Sequence, residues 1–411
     1  MLVADSIRID PPEPELTSAV ILERARALRP ALRERQALCE ELGRLPDETN
    51  DDFLRAGFYR MLQPRVFGGY EFPVVDFIRV MTEVSRGCSE SGWVLALTSG
   101  HPAAFLSGFP EQAQREVYGV TGDVRVPGVA LPGGMAMPAD EGYRISGSWD
   151  YASGCDVATH FLGAVIILDA VTRQPAAYGY VLLDPSMYTI VDNWSVIGMQ
   201  GTGSKRIVAA EQIVAAHRVQ PFADPTMSMV ADQPGRKLHT NPLFHGPLVP
   251  LLLTELASVA VGTARGALDV YDEMLRNKKS PLPPFLPAFE AAHYQHHFGH
   301  AQGLIDTAEA ALFHLGEEYP KLGQRALAGT PAGLEEQRRY QAVVQNILEL
   351  TWQAVDLIFR TAGASVARRG SLIGRAYKNL AVIRTHITMQ GHVTSLNVGR
   401  LHFGLSPLSI L

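Results

Sequence analysis

The run TWQAVDLIFRTAGASVARRGSLIGRAYKNLAVIRTHITMQ, Thr351 to Gln390, carries two amphipathic helical patterns around a small-residue hinge. Entering it, Val343, Ile347, Leu350, Ala354 and Ile358 recur at spacings of three and four, the mark of a helix burying one stripe. Gly363, Ala364 and Gly370 interrupt that pattern, and such residues permit close backbone approach. A second helix is expected from Ser371 to Val398, with Asn379, Val382 and His386 on one face and His386 mid-helix. A polar pair on a burying face is either a satisfied core pair or the wall of a site.

Working outward, helical periodicity extends back to about residue 250. Leu252, Leu256, Val259, Thr263, Ala267, Val270 and Met274 form one seam, and further helices are expected over Ala288–Glu318 and Leu334–Thr361. Four long helices in succession predict an antiparallel bundle over residues 226–411. Pro-rich KKSPLPPFLP, residues 278–287, reads as a linker or lid. Residues 123–225 have a different composition: Val, Ile, Thr, Tyr and Gly dominate, in short runs bounded by turn residues. Strands are expected at Gly128–Leu131, Tyr143–Trp149, His160–Leu168, Ala177–Leu183 and Ile207–Ala209, forming an antiparallel sheet or small barrel. PGG at 132–134 and GTGS at 201–204 read as turns. Residues 1–122 read as helical after a loose Pro-rich arm over 1–15, with helices expected at Thr17–Leu42 and Val74–Arg86. The fold class is therefore α+β, mostly α: a helical domain, a β domain and a four-helix bundle.

Composition narrows the function classes. Of 411 residues, 46% are hydrophobic and 19% charged, enough apolar material for a large core. The net charge of −6, with no dense Lys/Arg cluster, argues against nucleic acid as a partner. Cys39, Cys88 and Cys155 are odd in number and lie in no metal-type spacing, which suits a reduced, cytoplasmic setting. The N-terminus lacks the pattern of a signal peptide, no apolar run reaches the length of a membrane span, and no metal is expected. His293, His296, His297 and His300 fall on one helical face, read as a solvated or subunit-facing stripe in preference to a metal site.

Six segments then occur in a recognisable series: VSRGCSESGWVLAL (84–97), GSWDYASGCDVATHFLGAV (147–165), GMQGTGSKRIVAAEQIVAAHRV (198–219), ASVAVGTARGALDVY (257–271), DLIFRTAGASVARRGSLIGRAYKNL (356–380), and finally His386. With this series the chain resembles the oxygenase components of two-component flavin-dependent monooxygenases that share the acyl-CoA dehydrogenase fold, such as 4-hydroxyphenylacetate hydroxylase. The likeness runs from about residue 15 to the C-terminus. It implies a reduced FMN or FAD, delivered by a separate reductase, that reacts with O2 to give a C4a-hydroperoxyflavin. That species would oxygenate a hydrophobic, aromatic or polycyclic small molecule. It also implies a homotetramer built on the bundle.

The resemblance assigns residues as well. Ser153, after Trp149 in the W-x-x-x-S-G pattern, matches a serine facing the flavin N5 region, with Trp149 itself expected to bind the flavin, and His386 matches a histidine near the peroxide. His101, with Trp93 and Phe105, would line the substrate pocket, along with residues 130–137 and the 280–287 lid. Gly201, Thr202, Gly203 and Ser204 would follow the flavin and its phosphate, whose charge a Gly-rich turn suits. Arg375, Asn379 and the AGAS segment at 362–365 would complete that site. Lys205 and Arg206 would pair with phosphate or stay solvated. The chemistry fits these types: an imidazole titrating near neutrality can manage a peroxide proton in a dry chamber.

Departures from the family pattern are Asn379 in place of an acid, His245 in place of an arginine, and Met389–Gln390 after His386. Ser153 also fits an ordinary turn, His101 a helix end, and AGAS plain helix packing. Three alternatives stay open: an acyl-CoA dehydrogenase, an N- or S-oxygenase on the same fold, and a non-catalytic binding subunit. The Gly-Thr-x-Glu segment of the dehydrogenases has no counterpart, since the equivalent region reads THITMQGH; Glu255 lies on the helix that a minority of them use.

Overall fold

A computed structural model describes residues 8–119, 121–222, 233–281 and 283–408. Six helices come first: α1 (Ser18–Glu34), α2 (Gln36–Leu42), α3 (Asp47–Ala56), α4 (Val74–Gly87), α5 (Ser89–Ala104) and α6 (Glu111–Tyr118). Thr17 caps α1 through its side chain, which accepts from the Val20 N–H. The single helix expected over Thr17–Leu42 is two, parted at Arg35, whose guanidinium is held by Glu48 and Asp52 on α3. Residues 1–7 of the expected loose arm lie outside the described residues. Beyond them Ile9 is buried and pairs with Phe67, so this part of the arm is anchored.

Among the described residues seven strands follow: β1 (Gly128–Ala139), β2 (Gly142–Ala152), β3 (Phe161–Leu168), β4 (Pro175–Leu183), β5 (Thr189–Val191), β6 (Lys205–Val214) and β7 (Val219–Phe222). They form one open sheet in the order β5-β6-β2-β1-β3-β4-β7. It is not wholly antiparallel, as expected, because β1 and β3 pair in parallel. The PGG triplet is not a turn; it lies inside β1 beside a register shift between Val129 and Gly134. Its glycines serve packing: a Cβ on Gly134 would stand 2.4 Å from the Trp149 ring, and one on Gly147 equally close.

The C-terminal helices are α7 (Leu248–Asn277), α8 (Ala292–Leu327), α9 (Leu334–Thr361), α10 (Leu372–Ile383) and α11 (Gly391–His402). Here too one expected helix is two. The chain turns at Arg384–Gln390, with His386 heading a short 3-10 turn over Ile387–Met389, so His386 is not mid-helix. By length and composition α7 is apolar enough to cross a membrane, contrary to the sequence expectation, but 83% of its most apolar window is buried inside the protein. It is a core helix, and each such Leu256 or Val259 contributes roughly 1.5–3 kcal/mol. Two cores result. One joins α4 and α5 to α7, α8, α9 and α10, so the N- and C-terminal helices share an interior; the other lies within the sheet around Trp149 and Phe161.

The segment after α7 closes on itself: Lys279 bridges Pro287, and the Ser280 N–H donates to the Leu286 carbonyl. Phe285 and Leu286 are exposed there.

Candidate active site

The site is built around α5. This helix is buried nearly all round, so its hydroxyl residues must be satisfied internally, and Thr98 and Ser99 donate to the Val94 and Leu95 carbonyls one turn back. Trp93 and His101 stand two turns apart on it. The Trp93 indole N–H donates to Ser153 Oγ at 3.0 Å. The register of β2 against β6, with Ala152 opposite Lys205, brings Ser153 and Ser204 face to face. Their hydroxyls are 2.7 Å apart, Ser204 is 2.6 Å from Thr202 Oγ1, and Thr202 donates to the Met199 carbonyl.

Proton counting gives this chain a direction. Thr202 spends its hydrogen on the Met199 carbonyl, so Ser204 donates to Thr202 and Ser153 donates to Ser204. Ser153 accepts from Trp93, and its remaining lone pair can only accept from a ligand. That capacity suits a ring N–H, such as the N5–H of a reduced flavin.

Met199 adopts a left-handed conformation (φ 56°), a strain of the kind kept where surroundings enforce it. Asn379 on α10 enforces it, its Oδ1 accepting the Met199 N–H at 2.7 Å, while Trp194 Nε1 donates to the Met199 carbonyl. Asn379 Nδ2 is buried without a hydrogen-bond partner. An unspent amide donor beside the 199–204 turn fits a ligand rich in acceptors, as a flavin is.

His386 meets this cluster from the α10–α11 corner, its ring edge-on to Trp93 with centroids 6.0 Å apart. Its Nδ1 accepts from the Thr388 N–H and lies 2.8 Å from Thr388 Oγ1. Further along α5, His101 stacks edge-on with Phe105 at 5.4 Å, and Phe105 with Tyr180 of β4 at 4.8 Å. His101 Nδ1 has no hydrogen-bond partner, and its Nε2 is 3.8 Å from the fully buried carboxyl of Glu255 on α7.

Burial sets the protonation states. It lowers His386 to about 4, and lowers His101, which also feels His386, to about 3. Both imidazoles are neutral at pH 7. Burial alone raises the Glu255 carboxyl well above the usual range. A histidine lowered on folding binds its proton more weakly in the native state than in the unfolded chain. Stability is therefore intact above the unfolded value of about 6.5 and falls as pH drops through it toward about 4 and about 3. Glu255 acts in the opposite sense, losing stability as pH rises through its folded value. We expect His386→Ala to flatten the decline between about pH 6.5 and 4, read as urea midpoints against pH; an unchanged slope would contradict the assignment.

Some expected residues stand elsewhere. Trp149 is not at the site wall: it is 1% exposed in the core of the sheet, where its Nε1 donates to the Ala164 carbonyl. Arg375 binds Glu40 at 2.6 Å and Gln36, tying α10 to α2. Lys205 pairs with Asp156 and Asp192, and Arg206 with Asp150, so neither is free for phosphate. His245 Nε2 is 2.7 Å from the His239 carbonyl. Gly363, Ala364 and Ser365 of the AGAS segment are exposed, with Ser365 bonded to Lys278.

The four stripe histidines lie on α8, far from Trp93 in the chain, and three ring contacts link them, His293–His297, His296–His297 and His296–His300. Cysteine spacing hid one cluster: ligand atoms of Cys39, Cys88 and Glu90 lie within 4.8 Å of one another, all buried. An open groove of about 700 Å³ between α1 and α7, lined by Arg29, Arg33, Arg86, Asp269 and Glu273, includes none of the clustered residues.

Comparison with known proteins places this geometry in a class. The family described as acyl-CoA dehydrogenase, C-terminal domain, matches residues 255–391. The crystal structure of a 3-HSA hydroxylase from Rhodococcus sp. RHA1 superposes with a TM-score of 0.87 and 27% identity, covering 95% of this chain and 98% of that one. The fold is acyl-CoA dehydrogenase-like. In sequence, the chain is 29% identical over 394 residues to the flavin-dependent monooxygenase oxygenase subunit HsaA of Rhodococcus jostii, across 93% of this chain and 98% of the relative. It is 24% identical to the p-hydroxyphenylacetate 3-hydroxylase oxygenase component of Acinetobacter baumannii, across 96% and 91%. Over nearly its whole length the chain is similar to the oxygenase components of two-component flavin-dependent monooxygenases.

Proposed function

We propose that this chain takes reduced FMN or FAD from a separate reductase and, with O2, oxygenates a small aromatic or polycyclic molecule held between Trp93, Phe105 and His101. The bound flavin supplies the electrons and activates the oxygen. The observation that carries the reading is the one-way hydroxyl chain ending at Ser153, with His386 beside Trp93 in largely apolar surroundings.

In this reading Ser153 accepts from the reduced ring, and Asn379 donates to it while bracing the 199–204 turn. His386, neutral and oriented through Nδ1 by Thr388, presents its Nε2–H as a hydrogen-bond donor to the oxygen being transferred. The tight apolar lining keeps water away. Carbon, nitrogen and sulfur substrates all suit such a chamber. The assembly we infer is a homotetramer, supported by exposed Leu396, Phe403, Leu405 and Leu408 near the C-terminus. The setting we infer is cytoplasmic, in keeping with three free cysteines.

The test is anaerobic titration of the flavin-free protein with reduced and with oxidised flavin, followed by O2 consumption with a reductase present. The oxygenase reading predicts tighter binding of reduced flavin and substrate-stimulated turnover. Purification with tightly held oxidised FAD that oxidises acyl thioesters would instead establish a dehydrogenase.

A further inference from the structure

We propose that Cys39, Cys88 and Glu90 form a structural zinc site that staples α2 to the first turn of α5, beside the 199–204 turn. Its ligands are none of the residues assigned to the flavin or the substrate, so the proposal stands or falls apart from the oxygenase reading.

The ligand atoms of the three residues lie within 4.8 Å of one another, and all three side chains are buried. Cys39 comes from α2, Cys88 is the N-cap of α5 and Glu90 lies in the first turn of α5. Legs of about 2.3 Å to sulfur and about 2.1 Å to oxygen set a sulfur and an oxygen roughly 3.6 Å apart on a zinc tetrahedron. Cys88 Sγ stands 3.6 Å from Glu90 Oε2. Ser91 Oγ is 3.3 Å from Cys88 Sγ and 3.9 Å from Cys39 Sγ, distances that straddle the same value and place it to complete the fourth corner. An ion at the centre of such a set needs no cavity beyond the gap between the ligand atoms.

Without an ion the cluster is poorly satisfied. Glu90 is 1% exposed and its Oε1 has no hydrogen-bond partner, an arrangement that costs stability. The Cys88 thiol offers the carboxyl little, since S–H is a weak donor. A divalent cation, bound through one carboxylate oxygen or both, satisfies the three residues at once. Cys88 heads α5, where the N–H groups of a helix N-terminus favour a thiolate. Two thiolates and a carboxylate around a zinc ion leave one negative charge over. Arg375 and Lys378 share a single carboxylate, Glu40, which leaves one positive charge to meet it, and the charge of Arg375 reaches Glu90. The two sulfurs select zinc over magnesium or calcium, and the hard carboxylate disfavours copper(I). Cys39 Sγ also lies 3.6 Å from the Gly201 carbonyl, and a Cβ on Gly201 would stand 2.3 Å from that sulfur. The ion therefore fixes the pair of helices against which the 199–204 turn packs.

The experiment uses the full chain made in cells supplied with zinc or, in a parallel culture, with cobalt, so that the ion is present while the chain folds. Purification is under reducing conditions without chelator. The expected result is one equivalent of metal per chain and, in the cobalt protein, a near-ultraviolet thiolate-to-cobalt charge-transfer band. The histidines of α8 give no such band, so it reports the sulfurs alone. Cys39→Ser and Glu90→Gln should each weaken binding at least tenfold in competition with a chelating dye, more than the loss of a supporting contact alone requires. Cys155→Ser, which changes the third free cysteine, should leave band and affinity unchanged. If Cys39→Ser fails to fold, the wild-type band and Glu90→Gln decide the matter. Zinc-loaded wild type should also unfold at a higher urea concentration than protein stripped of metal. Protein that carries no stoichiometric metal from either culture overturns the proposal. So does a cobalt protein without the charge-transfer band, or a band that Cys155→Ser removes. A Cys39–Cys88 disulfide in place of bound metal would show a thiol pair only and overturns it as well.

Discussion

His386→Ala should bind reduced flavin within about twofold of the wild type yet send most of the consumed O2 to H2O2, with product formation falling on the order of a hundredfold. The size follows from what a positioned acid–base group contributes, about 10² to 10⁴. The direction follows from the geometry. His386 packs edge-on against Trp93 and is held through Nδ1 by Thr388, so it stands beside the Trp93–Ser153 pair without bracing the 199–204 turn. Because it heads a short turn and not a helix interior, alanine removes little besides the imidazole. Burial keeps that imidazole neutral down to about pH 4, and with Nδ1 accepting from Thr388 the ring hydrogen sits on Nε2, so the imidazole offers an N–H donor at pH 7. Oxygen electrode and product assays on the same samples give the coupling ratio. An unchanged ratio would remove His386 from the chemistry.

Ser153→Ala removes the terminal hydroxyl of the chain, the one that joins it to Trp93. Trp93 Nε1 loses its acceptor and Ser204 its donor, both in buried surroundings, so we expect a stability loss of about 1–3 kcal/mol. The variant also lacks the lone pair assigned to the ring N–H, and its affinity for reduced flavin should fall about tenfold, the weight of one ordinary hydrogen bond. Oxidised flavin has no hydrogen at N5 and should be affected much less. This difference separates a lost contact from general loosening, which would weaken both forms equally. Calorimetric titration with the two redox states decides it.

Much of the architecture was legible because burial periodicity is a local signal. The α4 stripe was read within one residue of its end, and the cores of five strands were found. What escaped was short or non-local. β5 and β7 span three and four residues, and β5 is fully exposed, so neither shows an inward–outward alternation. The break after α10 carries no Gly or Pro in its first six residues, Arg384–Met389, and the spacing of Asn379, Val382 and His386 mimics one face. Trp149 looked like a site residue because it begins the Ser153 motif, but the pleat turns its ring into the sheet's core. Ser153, Trp93, His101 and His386 were named from family likeness, and the structure brings them to one place. The approach of Glu255 to His101, and of Cys39 to Cys88 and Glu90, joins residues on separate helices or turns and leaves no spacing to read.

The most direct test is a crystal structure of the protein grown anaerobically with reduced flavin. The account predicts the tricyclic ring against Trp93, with Ser153 Oγ within hydrogen-bond reach of a ring N–H and His386 at its oxygen-reacting edge. A ring bound instead in the groove of Arg29, Arg33 and Arg86, away from Ser153, would contradict it.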